Sequence, residues 1–195
     1  MTARALRVAT WNVHGMRGGV EEIARVIHAE DIEILLIQES GPRRRLRALG
    51  GTLGMKVFAD PPAFPRRRVQ NAILLRGSMA TVVRSGLRRF SEGALLHPRG
   101  MLFADVDERF SVMSAHLGLR GSERGHHIGQ LLEHIEASEG RFVIGGDLNA
   151  FPGDPGPRML AARATDCWRA VGRGEGYTFP SHAPRARIDY LFAGP

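Results

Sequence analysis

Six polar residues stand where the apolar stretches of this 195-residue chain end: Asn12, Glu39, His116, Asp147 with Asn149, and Asp189. Burying a carboxylate is costly unless it is paired, hydrogen-bonded or bound to a metal. Carboxylates, amides and an imidazole at the ends of separate strands are the groups that divalent-metal phosphoryl chemistry uses. A hard cation such as Mg2+ takes oxygen ligands, commonly one or two carboxylates, with waters and substrate phosphate completing the shell. It polarises a phosphoryl oxygen and offsets charge on the leaving group. An acid or imidazole nearby orients and deprotonates the attacking water. Amides and imidazoles hydrogen-bond the other phosphoryl oxygens without adding negative charge. Singly, each residue has an ordinary alternative: Asn12 capping a turn, Glu39 opening a loop, His116 as a hydrogen-bonded core histidine, Asp147-Leu148-Asn149 as a plain turn after Gly145-Gly146. Their joint placement is what points to chemistry.

The elements that must position these residues follow from spacing. Residues 6–12 read as a buried strand running into the breaker-rich His14-Gly15-Met16-Arg17-Gly18-Gly19. Val20, Ile23, Ala24 and Ile27 predict a helix over 20–29, with His28 near its end, where it suits the helix dipole. The run Ile34-Leu35-Leu36-Ile37 is short enough for a central strand. A short basic helix is expected over 43–49, strands over 55–59 and 71–75 flanking a Pro- and Arg-rich loop at 61–68, and further strands over 80–90, 101–106 and 110–115. The clearest helix spans 122–138, with Ile128, Leu131, Leu132 and Ile135 on one face; His126, His127 and His134 are expected on its solvent face. Residues 142–145 read as a buried strand, 157–162 as a short helix and 187–192 as a last strand. No repeat or low-complexity linker divides the chain, and its length fits one domain. Many strands with a few interspersed helices indicate an α/β protein whose sheets are not purely βαβ-built.

Composition narrows the class further. With 43% apolar residues the chain is neither disordered nor fibrous. No stretch approaches the ~18 uninterrupted apolar residues of a membrane span, and residues 1–7 carry no apolar signal core. Cys167 is alone, which excludes an intramolecular disulfide and points to a cytoplasmic location. The net charge is +7, and Lys56 is the sole lysine among 27 basic side chains. Arginine favours anionic partners, phosphates above all. Two clusters, Arg43, Arg44, Arg45, Arg47 and then Arg66, Arg67, Arg68, admit two readings: a polyanion track or a solvated basic surface. Aromatic residues are not interleaved with them, so no base-stacking platform is evident.

Five segments occur in order along the chain: Thr10-Trp11-Asn12-Val13-His14-Gly15, Ile37-Gln38-Glu39, Ser114-Ala115-His116-Leu117-Gly118, Gly145-Gly146-Asp147-Leu148-Asn149-Ala150 and Arg187-Ile188-Asp189-Tyr190. With the looser Asn71-Ala72-Ile73-Leu74 and Arg99-Gly100-Met101-Leu102, they resemble the endonuclease/exonuclease/phosphatase superfamily over residues 8 to about 192. That superfamily includes deoxyribonuclease I-like nucleases, AP endonucleases, sphingomyelinases and inositol-phosphate 5-phosphatases. The resemblance implies a four-layer α/β sandwich of two packed mixed β-sheets flanked by helices. It implies Glu39 as the principal carboxylate for Mg2+ or Mn2+, with Asn12 beside the metal and the phosphate. Asp147 would position or deprotonate the water, Asn149 would hydrogen-bond that water or the phosphate, and His116 would contact the phosphate or donate a proton. Asp189 would orient a further histidine in a closing Ser-Asp-His segment, which the chain lacks before Pro195. His182 is no substitute, because it precedes Asp189 in a Pro-rich loop. Residues 1–195 are therefore expected to form one such domain, incomplete at the C-terminus and missing a last strand.

The His-Leu motif at 116–117 resembles the sphingomyelinase and deoxyribonuclease I-like branches rather than the AP endonucleases. The expected activity is metal-dependent phosphodiester hydrolysis, with nucleic acid as first substrate. The alternatives are phospholipid head groups or small phosphate esters, or a catalytically impaired binding protein of the same fold.

Overall fold

A strand that is apolar at every position needs cover on both faces, because its side chains alternate between them. The computed structural model describes residues 5–61, 68–77, 81–91, 97–107, 110–137 and 141–194, and in it the run at 34–37 forms β2 (Ile34–Gln38), buried throughout. Leu35 and Ile37 pack outward with Ile23, Ile27, Leu46 and Leu49 of α1 (Val20–Ala29) and α2 (Arg43–Leu53). Ile34 and Leu36 pack inward with Leu102, Ala104 and Val112 of a second sheet. The first sheet has the order β1 (Val8–Asn12), β2, β4 (Ala72–Arg76), β3 (Met55–Ala59), parallel only between β1 and β2. The second runs β5 (Arg84–Arg89), β6 (Gly100–Asp107), β7 (Phe110–His116), β8 (Arg141–Asp147), β10 (Asp189–Ala193), β9 (Thr165–Asp166), parallel only between β7 and β8.

The outer face of the second sheet is covered by α3 (Gly121–Glu136) and α4 (Pro155–Ala161). Ile128, Leu131, Ile135 and Leu160 pack there with Met101, Met113, Ile144 and Phe192. The result is the expected four-layer sandwich. Gly145 lets the sheets close on one another: a Cβ there would come 2.6 Å from Leu36 and 2.8 Å from Thr10 of the facing sheet.

Several expectations are corrected. His127 is fully buried in α3, accepting from the Gly118 N–H at 3.1 Å and stacked on Phe90, because it lies at the edge of the apolar stripe where β7 turns away. His134 is half-buried and rests on Phe103. Helix α2 runs on to Leu53 through Gly50-Gly51, since Gly50 permits close contact with Val57 and Leu53 continues the buried face of Leu46 and Leu49. Strand β10 pairs with β8 on one side and with the short β9 on the other. Arg187 holds β9 there through a buried two-point bond to Asp166, Nη1 to Oδ1 at 3.0 Å and Nη2 to Oδ2 at 2.5 Å. A short helix, α5 (Cys167–Val171), follows and is capped by Asp166. Arg66, Arg67, Ala80 and Ser138, named above in a basic cluster, a strand and a helix, lie outside the described residues. Among the described residues no helix is long and apolar enough to cross a membrane.

Candidate active site

Strand register carries the candidate residues to one place. Gly100, His116, Asp147 and Asp189 are successive partners across β6, β7, β8 and β10, forming one row at the sheet's end. In the other sheet Asn12 pairs with Gln38, and Glu39 follows directly. Asn12 joins the sheets: its Nδ2 donates to Asp147 Oδ2 at 3.0 Å and to Glu39 Oε1 at 3.3 Å. His116 Nε2 lies 3.7 Å from Asp147 Oδ2. Asn149 donates its backbone N–H to Asp147 Oδ1 at 2.9 Å and its Nδ2 to the Leu117 carbonyl at 3.0 Å. All six sequence-predicted residues are therefore brought together. His182 is exposed on its loop.

Beneath them lies a buried polar tie whose function the motifs did not disclose. Gln38 Nε2 donates to Ser114 Oγ at 3.0 Å, and Ser114 Oγ donates to the Ile37 carbonyl at 2.8 Å. Asn71 Nδ2 donates to the carbonyls of Gly100 and Ser114 at 2.9 and 2.8 Å. These bonds lock β2 and β4 to β6 and β7 just under the site. The backbone is strained around it. Among the described residues the left-handed non-glycines are His14, Met16, Asp31, Glu39, Gln70 and Asn149, and two of these are site residues themselves. Such outliers persist where surrounding structure over-determines them, often at functional sites.

Burial sets the electrostatics of the row. Desolvation, helped by the positive charge of Arg99, pushes the His116 imidazole down to about 3, so it is neutral at ordinary pH. Desolvation raises the Asp147 carboxyl, opposed by the bonds from Asn12 and Asn149. Asp189 is pushed up to about 6 by burial and by the facing charge of Asp147. The buried His116 Nδ1 and Asp189 Oδ1 have no hydrogen-bond partner among the described residues. Arg99 was missed as a functional residue. Its charge acts on Glu39, Asp147, Glu123 and His116, and it stands one residue before Gly100 of the row. The sequence signals were its place at the head of the looser Arg99-Gly100-Met101-Leu102 segment and at the start of a strand next to the one that ends in His116.

The model of the Endonuclease/Exonuclease/phosphatase family matches residues 9–195. The chain belongs to this family. Its members are phosphoesterases. Solved structures share the fold at low identity: a mannosyl-6-phosphatase from Bacteroides thetaiotaomicron VPI-5482 has a TM-score of 0.78 and 18% identity, covering 98% of this chain and 86% of that one. TDP2 of D. rerio, complexed with a single strand DNA product, has a TM-score of 0.79 and 19% identity, with 97% and 83% covered. The human Nocturnin catalytic domain with bound sulfate has a TM-score of 0.67 and 17% identity, with 97% and 82% covered. Against curated protein sequences the chain finds no match.

Enzymes of the family commonly use divalent metals, and the donor set here fits a hard cation. Among the described residues no three His, Cys, Asp or Glu side chains gather on one point. Mg2+ needs only one or two carboxylates and keeps several waters. The Glu39 side chain, 35% exposed beside the Asn12 amide, supplies an open oxygen site of that kind. Three of the five described arginines in the two clusters have another use. Arg45 Nη1 donates to the Gly15 carbonyl at 2.9 Å, and Arg43 donates to the Asp60 carbonyl. Arg68 grips the buried Asp60 carboxylate at 3.1 and 2.6 Å and the Gly41 carbonyl at 3.1 Å. These three brace the loops around Glu39, while Arg44 and Arg47 are exposed.

Proposed function

We propose that this protein is a divalent-metal-dependent phosphodiesterase acting on nucleic acid. The observation that carries the hydrolytic reading is the Asn12 amide, which joins Glu39 of one sheet to Asp147 of the other, so that a cation-binding carboxylate and a base face one phosphate. Mg2+ or Mn2+, when bound, would be held by Glu39 beside Asn12 and would polarise a phosphoryl oxygen. Asp147 takes the proton of the attacking water. Asn149 fixes Asp147 through its backbone N–H and keeps its amide oxygen for the water. His116, neutral and buried, hydrogen-bonds a phosphoryl oxygen rather than transferring a proton, and Arg99 offsets the charge that develops there. Burial and the like charge of Glu39 keep the Asp147 carboxylate basic, and Asp189 stands opposite it in the row.

Three features support nucleic acid as the substrate. The net charge is +7. Arg44 and Arg47 are exposed, where they can meet phosphates. Phe151, two residues beyond Asn149, and Tyr177 and Phe179, on either side of Thr178, are exposed. Thr178 Oγ1 accepts from the Asp189 N–H at 3.3 Å, so these rings flank the site and offer surfaces on which bases stack. The test compares a single-stranded oligonucleotide, bis-p-nitrophenyl phosphate and a sugar monophosphate, with EDTA and then with Mg2+ or Mn2+. Oligonucleotide cleavage that EDTA abolishes and the cation restores is expected. Full activity in EDTA overturns the metal, and hydrolysis of the monophosphate alone overturns the nucleic-acid substrate.

A further inference from the structure

Both sheets run out on the same side of the sandwich, β3 ending the first and β5 the second. Where these two edges face each other lies a cavity of about 470 Å3. None of the described residues lining it belongs to the row of His116, Asp147 and Asp189 or to the Asn12–Glu39 pair. Its walls are largely aliphatic. Phe58, Leu87 and Leu102 reach it from the layer between the sheets, and Leu46, Val57 and Ala59 from the layer under α2. Side chains alternate along a strand. Val57, Phe58 and Ala59 thus bring both faces of β3 to the cavity, which wraps around that edge.

One helix adds charge to these walls. Arg43 and Arg47 both line the cavity, and being four residues apart on α2 they stand on one face, a turn from each other. Like charges so placed repel, and the first turn of α2 holds no acidic residue to offset them. Among the described residues no carboxylate lines the cavity and neither arginine is ion-paired. The Asp60 carboxylate, next to Pro61 of the lining, is taken by Arg68. Arg43 is half-buried and spends Nη2 on the Asp60 carbonyl, while its Nε is buried with no hydrogen-bond partner among the described residues. A guanidinium has five N–H donors, and a buried donor left unpaired carries its desolvation cost uncompensated. Two cations at the margin of an aliphatic cavity call for an anion that carries its own apolar body.

We propose that this cavity binds a free single-chain aliphatic carboxylate, its tail between β3 and β5 and its head on Arg43 and Arg47. Walls from both sheets enclose the tail, which suits a monomer in solution rather than a bilayer surface. An alkyl tail asks for no hydrogen bonds, whereas the polar edge of a nucleobase needs partners. Ser85 is the one uncharged polar side chain among the described lining residues. The half-buried Arg43 fork matches the two coplanar oxygens of a carboxylate, and the exposed Arg47 adds a second charge one turn on. At about 470 Å3 the space lies within the ordinary range of small-molecule sites.

The experiment titrates the full chain calorimetrically with hexanoate, octanoate and decanoate. Affinity should rise by about fourfold for each added methylene, as one more CH2 is buried. Decyltrimethylammonium and inorganic phosphate should not saturate in that range, the first for its charge and the second for want of a tail. Methyl resonances of Leu46, Leu87 and Leu102 should shift with decanoate, while those of Ile128, in the layer under α3, stay fixed. R47E should weaken decanoate binding by about tenfold or more, as expected when a charge-assisted bond is lost. Ser85 shares with Leu87 the face of β5 that lines the cavity. S85W, an indole at that exposed position, should therefore remove the gain with tail length. Affinity that ignores tail length, equal affinity for decyltrimethylammonium, or decanoate binding unaltered in both R47E and S85W overturns the site. Sedimentation with anionic phospholipid vesicles, without uptake of free decanoate, overturns the monomeric ligand.

Discussion

In the four-stranded sheet, Asn12 and Glu39 are delivered by left-handed turns at His14, Met16 and Glu39 and held by hydrogen bonds open to solvent. In the six-stranded sheet, His116, Asp147 and Asp189 stand in a regular row of paired strands, with His116 1% and Asp147 5% exposed. A cation that keeps part of its hydration needs an open carboxylate, and open hydrogen bonds can be exchanged as it arrives. A base that must take a proton from water needs a raised pKa, which burial supplies. The irregular half suits a ligand that comes and goes, and the regular half suits groups that must stay dry. Among the described residues Asn12 is the one side chain that hydrogen-bonds both Glu39 of the first half and Asp147 of the second.

The largest test of this division exchanges the two carboxylates separately. Asp147→Asn keeps shape and removes the base, so kcat should fall by roughly 10²–10⁴ and excess Mg2+ should not restore it. Glu39→Gln should chiefly raise the Mg2+ concentration needed for half-maximal rate, and excess cation should recover part of the loss. Rate against Mg2+ concentration checks both. Rescue of Asp147→Asn by Mg2+, with an unchanged titration in Glu39→Gln, would reverse the assignment of the halves.

A smaller effect concerns the dry half alone. Asp189 is pushed up to about 6, so the folded protein binds its proton more tightly than the unfolded chain does. Between about pH 4 and pH 6 the folded state therefore holds more protons, and stability falls as pH rises. The cost of the buried charge is absent below about pH 4 and fully present above about pH 6. In EDTA, Asp189→Asn should match the parent near pH 4 and exceed it at pH 8 by up to roughly 3 kcal/mol, because each tenfold change in proton affinity is worth about 1.4 kcal/mol. Thermal denaturation across that range is the measurement. A difference that stays constant with pH would mean that the ionised carboxylate is not the strained species.

The site was legible because its residues terminate apolar runs, and a strand's end is fixed by where its apolar run stops. Helix α1 and strand β3 match their expected residues for the same reason, since a periodic face leaves little choice of boundary. What could not be read depends on partners far away in sequence. His127 looks solvent-facing by its polarity, yet a hydrogen bond from Gly118 and a stack on Phe90 bury it. The helix expected over 43–49 runs on to Leu53, because contact with β3 favours a residue without a side chain at Gly50. The two-residue β9 has no periodicity to detect and exists through Arg187 and Asp166. Arg99 opens the looser Arg99-Gly100-Met101-Leu102 segment, and only the register of β6 against β7 shows what it stands beside.

The smallest expected effect sharpens the comparison at its periphery, among arginines that look alike in sequence. Arg45 and Arg68 bond loop carbonyls around Glu39, whereas Arg44 and Arg47 of α2 are exposed. If the exposed pair meets a nucleic-acid backbone, each neutralised phosphate adds about 0.7–0.9 to the slope of log affinity against log salt. The double change Arg44→Gln with Arg47→Gln should therefore flatten that slope by between one and two for a single-stranded oligonucleotide, roughly one unit per lost contact. Stability should move by no more than about 0.5 kcal/mol, as for ordinary surface substitutions. Arg45→Gln should do the opposite, leaving the salt slope nearly unchanged while weakening cation binding through the loosened Gly15 carbonyl. Fluorescence anisotropy at several salt concentrations, paired with Mn2+ titration, separates the two outcomes. An unaltered slope in the double variant would make Arg44 and Arg47 a solvated basic face, and the polyanion would have to approach the site from the side of Phe151 and Phe179 instead.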